Sequence, residues 1–293
     1  MDIKIKHYPT ERFSPIFYKV IDFLKKHGAQ GFNKNWHWAR WEWLMGHPNL
    51  EMETLSKIGY IEINDVIEGL VTHDLRRGKA YILCNPAFSN YKNLMLDYAE
   101  RYLCDDGKLT IYIDDSDEYL ISYAKEKEYV KTDKGEYVLS LDCTNGILSY
   151  QLERQFTVDD YTHNRDLNRY ERVLWKGFNH EGNPPLITEA DINKMPHDNS
   201  DLAVFIVAEN NEYAAHCGTW YLLGTKCAYV EPVVTIPEYR KKGLGKAVVY
   251  ESVNRCIAMG AEQALVISNQ LFITVLGSMN MRGFPVGLRI YKE

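Results

Sequence analysis

Between Val233 and Lys246 the chain reads Val-Val-Thr-Ile-Pro-Glu-Tyr-Arg-Lys-Lys-Gly-Leu-Gly-Lys, an apolar run, then a turn dense in glycine and cations, then the start of a helix. That order suits an anion. The N–H groups of a helix's first turn lack an intrahelical acceptor, and Gly243 and Gly245 remove the side chains that would hold a phosphate away from them. The helix dipole adds positive potential at the same end, and Arg240, Lys241, Lys242 and Lys246 add charge around it. A diphosphate matches this set of donors. Two other phosphate motifs fail by position: a P-loop needs Gly at 240 and Ser or Thr at 247, where Arg240 and Ala247 stand, and a dinucleotide fingerprint needs Gly at 248, where Val248 stands.

Such a turn needs a strand before it and a helix after it, and that order occurs twice with a period of about 150 residues. In the first half, Lys79 to Pro86 reads as a strand, Tyr91 to Leu103 as an amphipathic helix, Leu109 to Ile113 as a strand and Glu118 to Lys127 as a helix. In the second, Lys226 to Thr235 is a strand, Gly243 to Met259 a helix, Gln263 to Ile267 a strand and Leu271 onward a short helix. The pairs Ala80-Tyr81 and Ala228-Tyr229 fall at matching places. Ahead of each unit lies a hairpin: Ile58 to Ile63 with Val66 to Thr72 around Asn64-Asp65, and Leu202 to Ala208 with Glu212 to Leu223 around Asn210-Asn211, residues that tolerate the left-handed backbone of a tight turn. Tyr137 to Leu141 closes the first half and Asp142 to Gly146 links to the second. The expected architecture is α/β of the α+β kind, with tandem domains at residues 1–146 and 147–293. Each is a mixed, mostly antiparallel sheet flanked by helices.

A length of 293 residues fits two domains, and 45% hydrophobic with 25% charged residues is an ordinary globular composition. The formal charge of −6 gives no overall field for nucleic acid or anionic lipid. The N-terminus alternates charged and apolar residues, unlike a signal peptide, and no apolar run approaches membrane-spanning length. Cys84, Cys104, Cys143, Cys217, Cys227 and Cys256 are scattered without C-x-x-C pairs, and His37, His163, His180 and His216 are isolated, so no metal site is expected. A cytoplasmic protein with reduced cysteines follows.

Arg240-Lys-Lys-Gly-Leu-Gly245, preceded by Pro237, resembles the R-x-x-G-x-G signature of the GCN5-related N-acetyltransferase superfamily. The longer string from Glu231 to Ala247 looks like that family's fourth strand running into its cofactor turn. The resemblance covers the second half, and more faintly the first, as in tandem members. It implies that acetyl-coenzyme A is the cosubstrate. The backbone of Val233, Val234 and Thr235 would pair with the pantetheine arm, amides from Lys241 through Leu244 to Lys246 would meet the diphosphate, and Asn269 would contact the cofactor. At the corresponding place the first half carries Asn85-Pro-Ala-Phe-Ser-Asn-Tyr-Lys-Asn-Leu94, with no glycine and one cation. It is read as a degenerate copy kept for scaffolding or for walling a substrate cleft.

Moving an acetyl group from a thioester to an amine requires a base for the amine proton. Glu231 lies two residues ahead of Val233, on the same face of the strand, and is the candidate base. The amide of Val233 or Val234 can polarise the carbonyl. The family's usual acid is a Tyr four residues before a Gly on the last helix; here that place holds Ile273 or Met279, which leaves water, Tyr229 or Tyr250 to protonate the thiolate. Trp220 and Tyr221 are candidate substrate contacts. Trp36-His-Trp-Ala-Arg-Trp-Glu-Trp43 concentrates four of the six tryptophans and reads as core packing, with Arg40 and Glu42 paired or lining the cleft. Cys217 beside His216 suggests a nucleophile pair, weakened because adjacent strand residues face opposite sides. The first reading is an N-acetyltransferase acting on a small-molecule or peptide amine by direct attack in a ternary complex. The alternative is a catalytically silent coenzyme A-binding sensor or scaffold.

Overall fold

The computed structural model describes residues 3–162, 165–188, 195–268 and 282–292. In chain order these form β1 (Ile5–His7), α1 (Pro15–His27), α2 (Trp38–Gly46), β2 (Gly59–Ile63), β3 (Val66–Thr72), β4 (Lys79–Cys84), α3 (Lys92–Tyr102), β5 (Leu109–Ile113) and α4 (Glu118–Glu126). There follow β6 (Val130–Asp142), β7 (Phe156–Asp160), α5 (Leu167–Gly177), β8 (Ala203–Ala208), β9 (Tyr213–Trp220), β10 (Cys227–Thr235), α6 (Leu244–Ala258), β11 (Gln263–Ser268) and β12 (Arg282–Lys292).

The duplicated order is present as duplicated wiring. In the first half β2, β3 and β4 pair antiparallel and β4 then pairs parallel with β5, α3 forming the crossover. In the second, β8, β9 and β10 pair antiparallel and β10 pairs parallel with β11 across α6. Both predicted hairpins turn through left-handed residues, Asn64 and Asp65 in one and Asn211 in the other, with φ of 50°, 68° and 64°. Each half is thus the mixed, mostly antiparallel sheet with helices that the sequence predicts. The helices α1 and α5 and the strand β7 were not anticipated.

Among the described residues the chain divides into two compact units, one of residues 3–139 with 267–268 and 283–292, the other of residues 140–266 with 282. The division falls ahead of residue 146, and the last strand joins the first unit, because β12 pairs antiparallel with β5, Leu288 opposite Ile113 and Lys292 opposite Leu109. The helix expected from Leu271 lies outside the described residues as far as 281. Among the described residues no helix is long and apolar enough to cross a membrane, and all six cysteines are free.

In the first unit, β-branched and aromatic strand residues meet the apolar faces of α3 and α4, burying Ile61, Val71, Ile82, Met95, Ile111 and Leu120. The tryptophan-rich segment is core: Trp36, Trp38 and Trp41 are all buried, and Trp41 stacks on Phe17 while Trp36 meets Tyr81. Arg40 pairs with Glu136. Its buried guanidinium packs on the rings of Trp36 and Tyr81 and forms a bidentate pair with Glu136 at 3.0 and 3.1 Å, while Tyr81 donates to the same carboxylate at 2.8 Å. Burial alone would lower the Arg40 pKa, but Glu136, Tyr81 and Asp74 outweigh it and raise it well above the ordinary value. Removing one partner leaves an uncompensated buried charge, so Arg40→Ala should lower the unfolding free energy by about 3–5 kcal/mol in urea denaturation.

Candidate functional site

Strand β10 changes its company halfway along. With β9, Val230 pairs with Thr219 but the next pair is Val233 with Cys217, so Glu231 and Pro232 together face Gly218 alone. This is a β-bulge. Pro232 has no N–H to offer the ladder, and Gly218 admits the bulge because a Cβ there would lie 2.7 Å from the Glu231 carbonyl oxygen. With β11, β10 is in register only from Cys227 to Tyr229, opposite Gln263 to Leu265. Beyond Tyr229 the two strands part. Among the described residues Val233, Val234 and Thr235 have strand partners in β9 only, so β10 offers a second row of backbone donors and acceptors on its other edge.

The bulge corrects one expectation. Val230 and Val233 share the face that α6 covers, since their partners Thr219 and Cys217 contact each other and the Thr219 hydroxyl takes a hydrogen bond from Ser252 at 2.6 Å. The extra residue moves Glu231 to the opposite face, with Tyr229, whose hydroxyl donates to its carboxylate. Glu231 therefore does not point with Val233. Its carboxylate is half-buried and its carbonyl accepts from the Trp220 indole at 3.2 Å. Trp220 and Tyr221, expected to meet substrate, are only 4% and 7% exposed. They brace the strand, Tyr221 donating to the Met259 carbonyl at 3.4 Å.

After β10 the chain makes a short 3-10 turn at Pro237–Tyr239 and enters α6 through Gly243, the N-cap residue, with φ of 77° and no side-chain cap. Lys241 is also left-handed at 64°, and successive N–H groups in this kind of turn form a concavity for anions. A Cβ at Gly243 would meet nothing within 4 Å, whereas at Gly245 it would lie 3.3 Å from the Thr235 hydroxyl. Gly243 thus serves conformation and Gly245 serves close packing. Lys241, Lys242, Gly243 and Lys246 are exposed, and Leu244 anchors the turn in the core. Lys242 and Lys246 sit over the rings of Tyr239 and Tyr250 at 5.2 and 5.0 Å.

Arg240 plays a different part from the mobile charge expected of it. Its Nε donates to the Thr235 carbonyl at 3.0 Å, and Nη2 donates to the Gly177 carbonyl and to Asn179 Oδ1 at 2.9 and 3.1 Å. It fastens the turn to the end of β10 and to the C-terminus of α5. That helix lies against the strand so closely that a Cβ on Gly177 would fall 2.5 Å from the Val234 Cβ. Nothing in the sequence marked α5 for this role, although a glycine ending an amphipathic stretch is the signal that close packing leaves.

The remaining candidates separate. His216 is buried against Phe205 and Tyr170 with Nδ1 at 3.0 Å from the Val204 carbonyl, and burial lowers its pKa to about 4. Burial raises the Cys217 thiol to about 12, so neither group suits nucleophilic catalysis and they face opposite sides. His37 caps α2 and His180 lies on Trp175. Among the described residues no cluster of metal ligands occurs. Asn269, Ile273, Met279 and His163 lie outside the described residues. At the matching place in the first unit the donors are spoken for: Asn85 accepts from the Ala87 amide at 3.1 Å, and Lys92, the cation at the start of α3, is buried against Asp117.

Residues 167–271 match the model of the acetyltransferase (GNAT) family. No curated protein matches the chain. Among solved structures, a GCN5-related N-acetyltransferase from Sphaerobacter thermophilus superposes with a TM-score of 0.63 at 10% identity, covering 99% of this chain and 95% of its own. A tandem GNAT protein from the clavulanic acid biosynthesis pathway gives 0.58 at 9% identity, covering 100% and 98%. A GCN5-related N-acetyltransferase from Kribbella flavida gives 0.52 at 10%, covering 80% and 86%. The fold is that of tandem proteins of this kind.

The buried imidazole sets a pH dependence. His216 is neutral in the folded protein down to about pH 4, while an unfolded histidine takes its proton near 6.5. Between those values the unfolded chain binds the extra proton, so stability falls as pH is lowered through that window, by up to about 3 kcal/mol. Urea unfolding at pH 7 and 4.5 should show the fall, and NMR titration should find His216 still neutral at pH 5.5.

Proposed function

We infer that this chain, whose residues 167–271 match the model of the acetyltransferase (GNAT) family, is an acetyl-coenzyme A-dependent N-acetyltransferase whose second unit holds the cosubstrate and does the chemistry. The observation that carries this reading is the parting of β10 from β11 just ahead of an uncapped helix start. Peptide groups of Val233, Val234 and Thr235 then suit the amides of a pantetheine arm, and the N–H groups from Lys241 through Leu244 to Lys246 suit its diphosphate. Bound there, acetyl-coenzyme A supplies an acetyl group activated as a thioester. Arg240 acts by holding the turn in shape.

Glu231 takes the proton from an attacking amine, a reading supported by the hydrogen bond of the Tyr229 hydroxyl to its carboxylate. The bulge turns Glu231 toward the α5 side of the sheet, so the acceptor, a small-molecule or peptide amine, approaches from that side. The amide of Val233 or Val234 polarises the acetyl carbonyl as the nitrogen bonds to carbon and the carbon–sulfur bond breaks. Water protonates the departing thiolate. The first unit, in which Asn85 accepts from the Ala87 amide and Lys92 is paired with Asp117, serves as scaffold. The free cysteines fit a protein of the reducing cytoplasm.

Calorimetry with acetyl-coenzyme A and turnover on an amine panel test this. One saturable site is expected, with affinity lowered about tenfold by Arg240→Ala, equivalent to about 1.4 kcal/mol. Glu231→Gln should reduce kcat at least about 100-fold while leaving cofactor affinity unchanged. Tight binding without turnover on any amine would identify a silent binding module instead.

A further inference from the structure

Strand β4 leaves β5 as β10 leaves β11, but in the first unit the edge so exposed is filled by the chain itself. The two strands are in register only from Lys79 to Tyr81, opposite Thr110 to Tyr112. Further along, the Asn85 N–H turns to β3 and donates to the Glu68 carbonyl at 2.9 Å. By alternation the peptide groups of Cys84 turn to the other edge, the one that β5 has left. Both are paired there. The Cys84 N–H donates to Asn33 Oδ1 at 3.1 Å, and Asn33 Nδ2 donates to the Cys84 carbonyl at 3.1 Å. One carboxamide supplies the donor and the acceptor that a neighbouring strand would supply.

Cys84 is the counterpart of Val233. The step from Tyr81 to Cys84 lies opposite Thr72 to Gly69, and the step from Tyr229 to Val233 lies opposite Trp220 to Cys217, the longer path on β10 holding the bulge. Asn33 is 3% exposed, and its Nδ2 donates also to the His27 carbonyl at 2.9 Å, which fixes the carboxamide in place. The residues around Asn33 reach the rest of the cleft. The Lys92 ammonium, at the start of α3, lies over the Phe32 ring at 4.0 Å from its centroid. Lys34 pairs with Asp114, just past the end of β5, at 3.4 Å, and Trp36 packs on Tyr81 of β4 with ring centroids 4.6 Å apart. Segment 31–36 thus touches β4, the start of α3 and the end of β5, whose counterparts in the second unit are β10, α6 and β11.

We propose that the first unit keeps the amide-pairing edge of a coenzyme A-type cleft and that segment 31–36 occupies it in cis, the Asn33 carboxamide standing where an amide of a pantetheine arm would stand. The chain then takes one cosubstrate molecule rather than two. A ligand built of secondary amides pairs with Cys84 only once that carboxamide is removed. The comparison with Val233 rests on the acetyl-transfer reading; the filling of the β4 edge does not.

The test is backbone hydrogen exchange of the full chain, resolved to single amides, on the wild type, Asn33→Gly and Asn33→Ser. The ligands are acetyl-coenzyme A and millimolar pantetheine, which carries the amides without the diphosphate and so needs no glycine turn. In the wild type neither ligand should alter exchange at residues 83–85. Loss of the carboxamide should speed exchange of the Cys84 amide about tenfold, as loss of a buried hydrogen bond does, and pantetheine should slow it again saturably. Asn33→Ser, whose hydroxyl is too short to bridge the Cys84 peptide groups, gives the same reading if Asn33→Gly does not fold. Pantetheine that leaves the Cys84 amide unprotected in a folded variant overturns the proposal, as does either ligand slowing residues 83–85 in the wild type. Failure of acetyl-coenzyme A to slow residues 233–235 counts against the acetyl-transfer reading alone.

Discussion

A strand that leaves its neighbour must find other partners for its peptide groups, and in this protein that requirement falls on β10. Up to Tyr229 the strand is held on both edges; from Val233 to Thr235 it is held by β9 alone among the described residues. Inside a fold, such groups are costly to leave without a partner. The surrounding structure is arranged to keep them available. Gly218 makes room for the bulge and the Trp220 indole pins it. Gly177 lets α5 seat against Val234, and Arg240 ties that helix to the turn where α6 begins. The bulge, the open edge and the uncapped helix start form one device, held in place by the packing of α5 against Val234 and by the bonds of Arg240.

The first unit shows the same wiring put to another use. Its parallel pair, β4 with β5, is in register from Lys79 to Tyr81, matching Cys227 to Tyr229 in the second unit. There, however, the polar groups are satisfied internally. Asn85 caps the turn, Lys92 is buried against Asp117, and Tyr81, the counterpart of Tyr229, hydrogen-bonds to Glu136 in the ion-pair network of Arg40. A site whose donors are met by its own chain gains stability and loses the means to hold a ligand. That contrast supports assigning chemistry to the second unit.

Much of this was legible in the sequence, because hairpin turns and strand periodicity are local. Asn64-Asp65 and Asn210-Asn211 marked both hairpins, and β5 lies where its alternation placed it. Contacts over long sequence separation were not legible. Glu136 meets Arg40 across 96 residues, and the anchoring of Arg240 on Gly177 spans 63. The face of Glu231 was misread for a specific reason: alternation holds only on an unbroken ladder, and the Pro232 that signals a bulge also reverses the parity. The last strand joined the first unit because its partner β5 lies there, a pairing that no local pattern encodes.

The central claim is that the backbone of β10 and the first turn of α6 form the diphosphate-ligand site while the duplicated turn in the first unit does not. Backbone hydrogen exchange with and without acetyl-coenzyme A measures this directly. The account predicts slowed exchange at residues 233–235 and 241–246 and no change at residues 85–94. Protection confined to 85–94, or exchange unaltered in both segments at saturating cofactor, would contradict it.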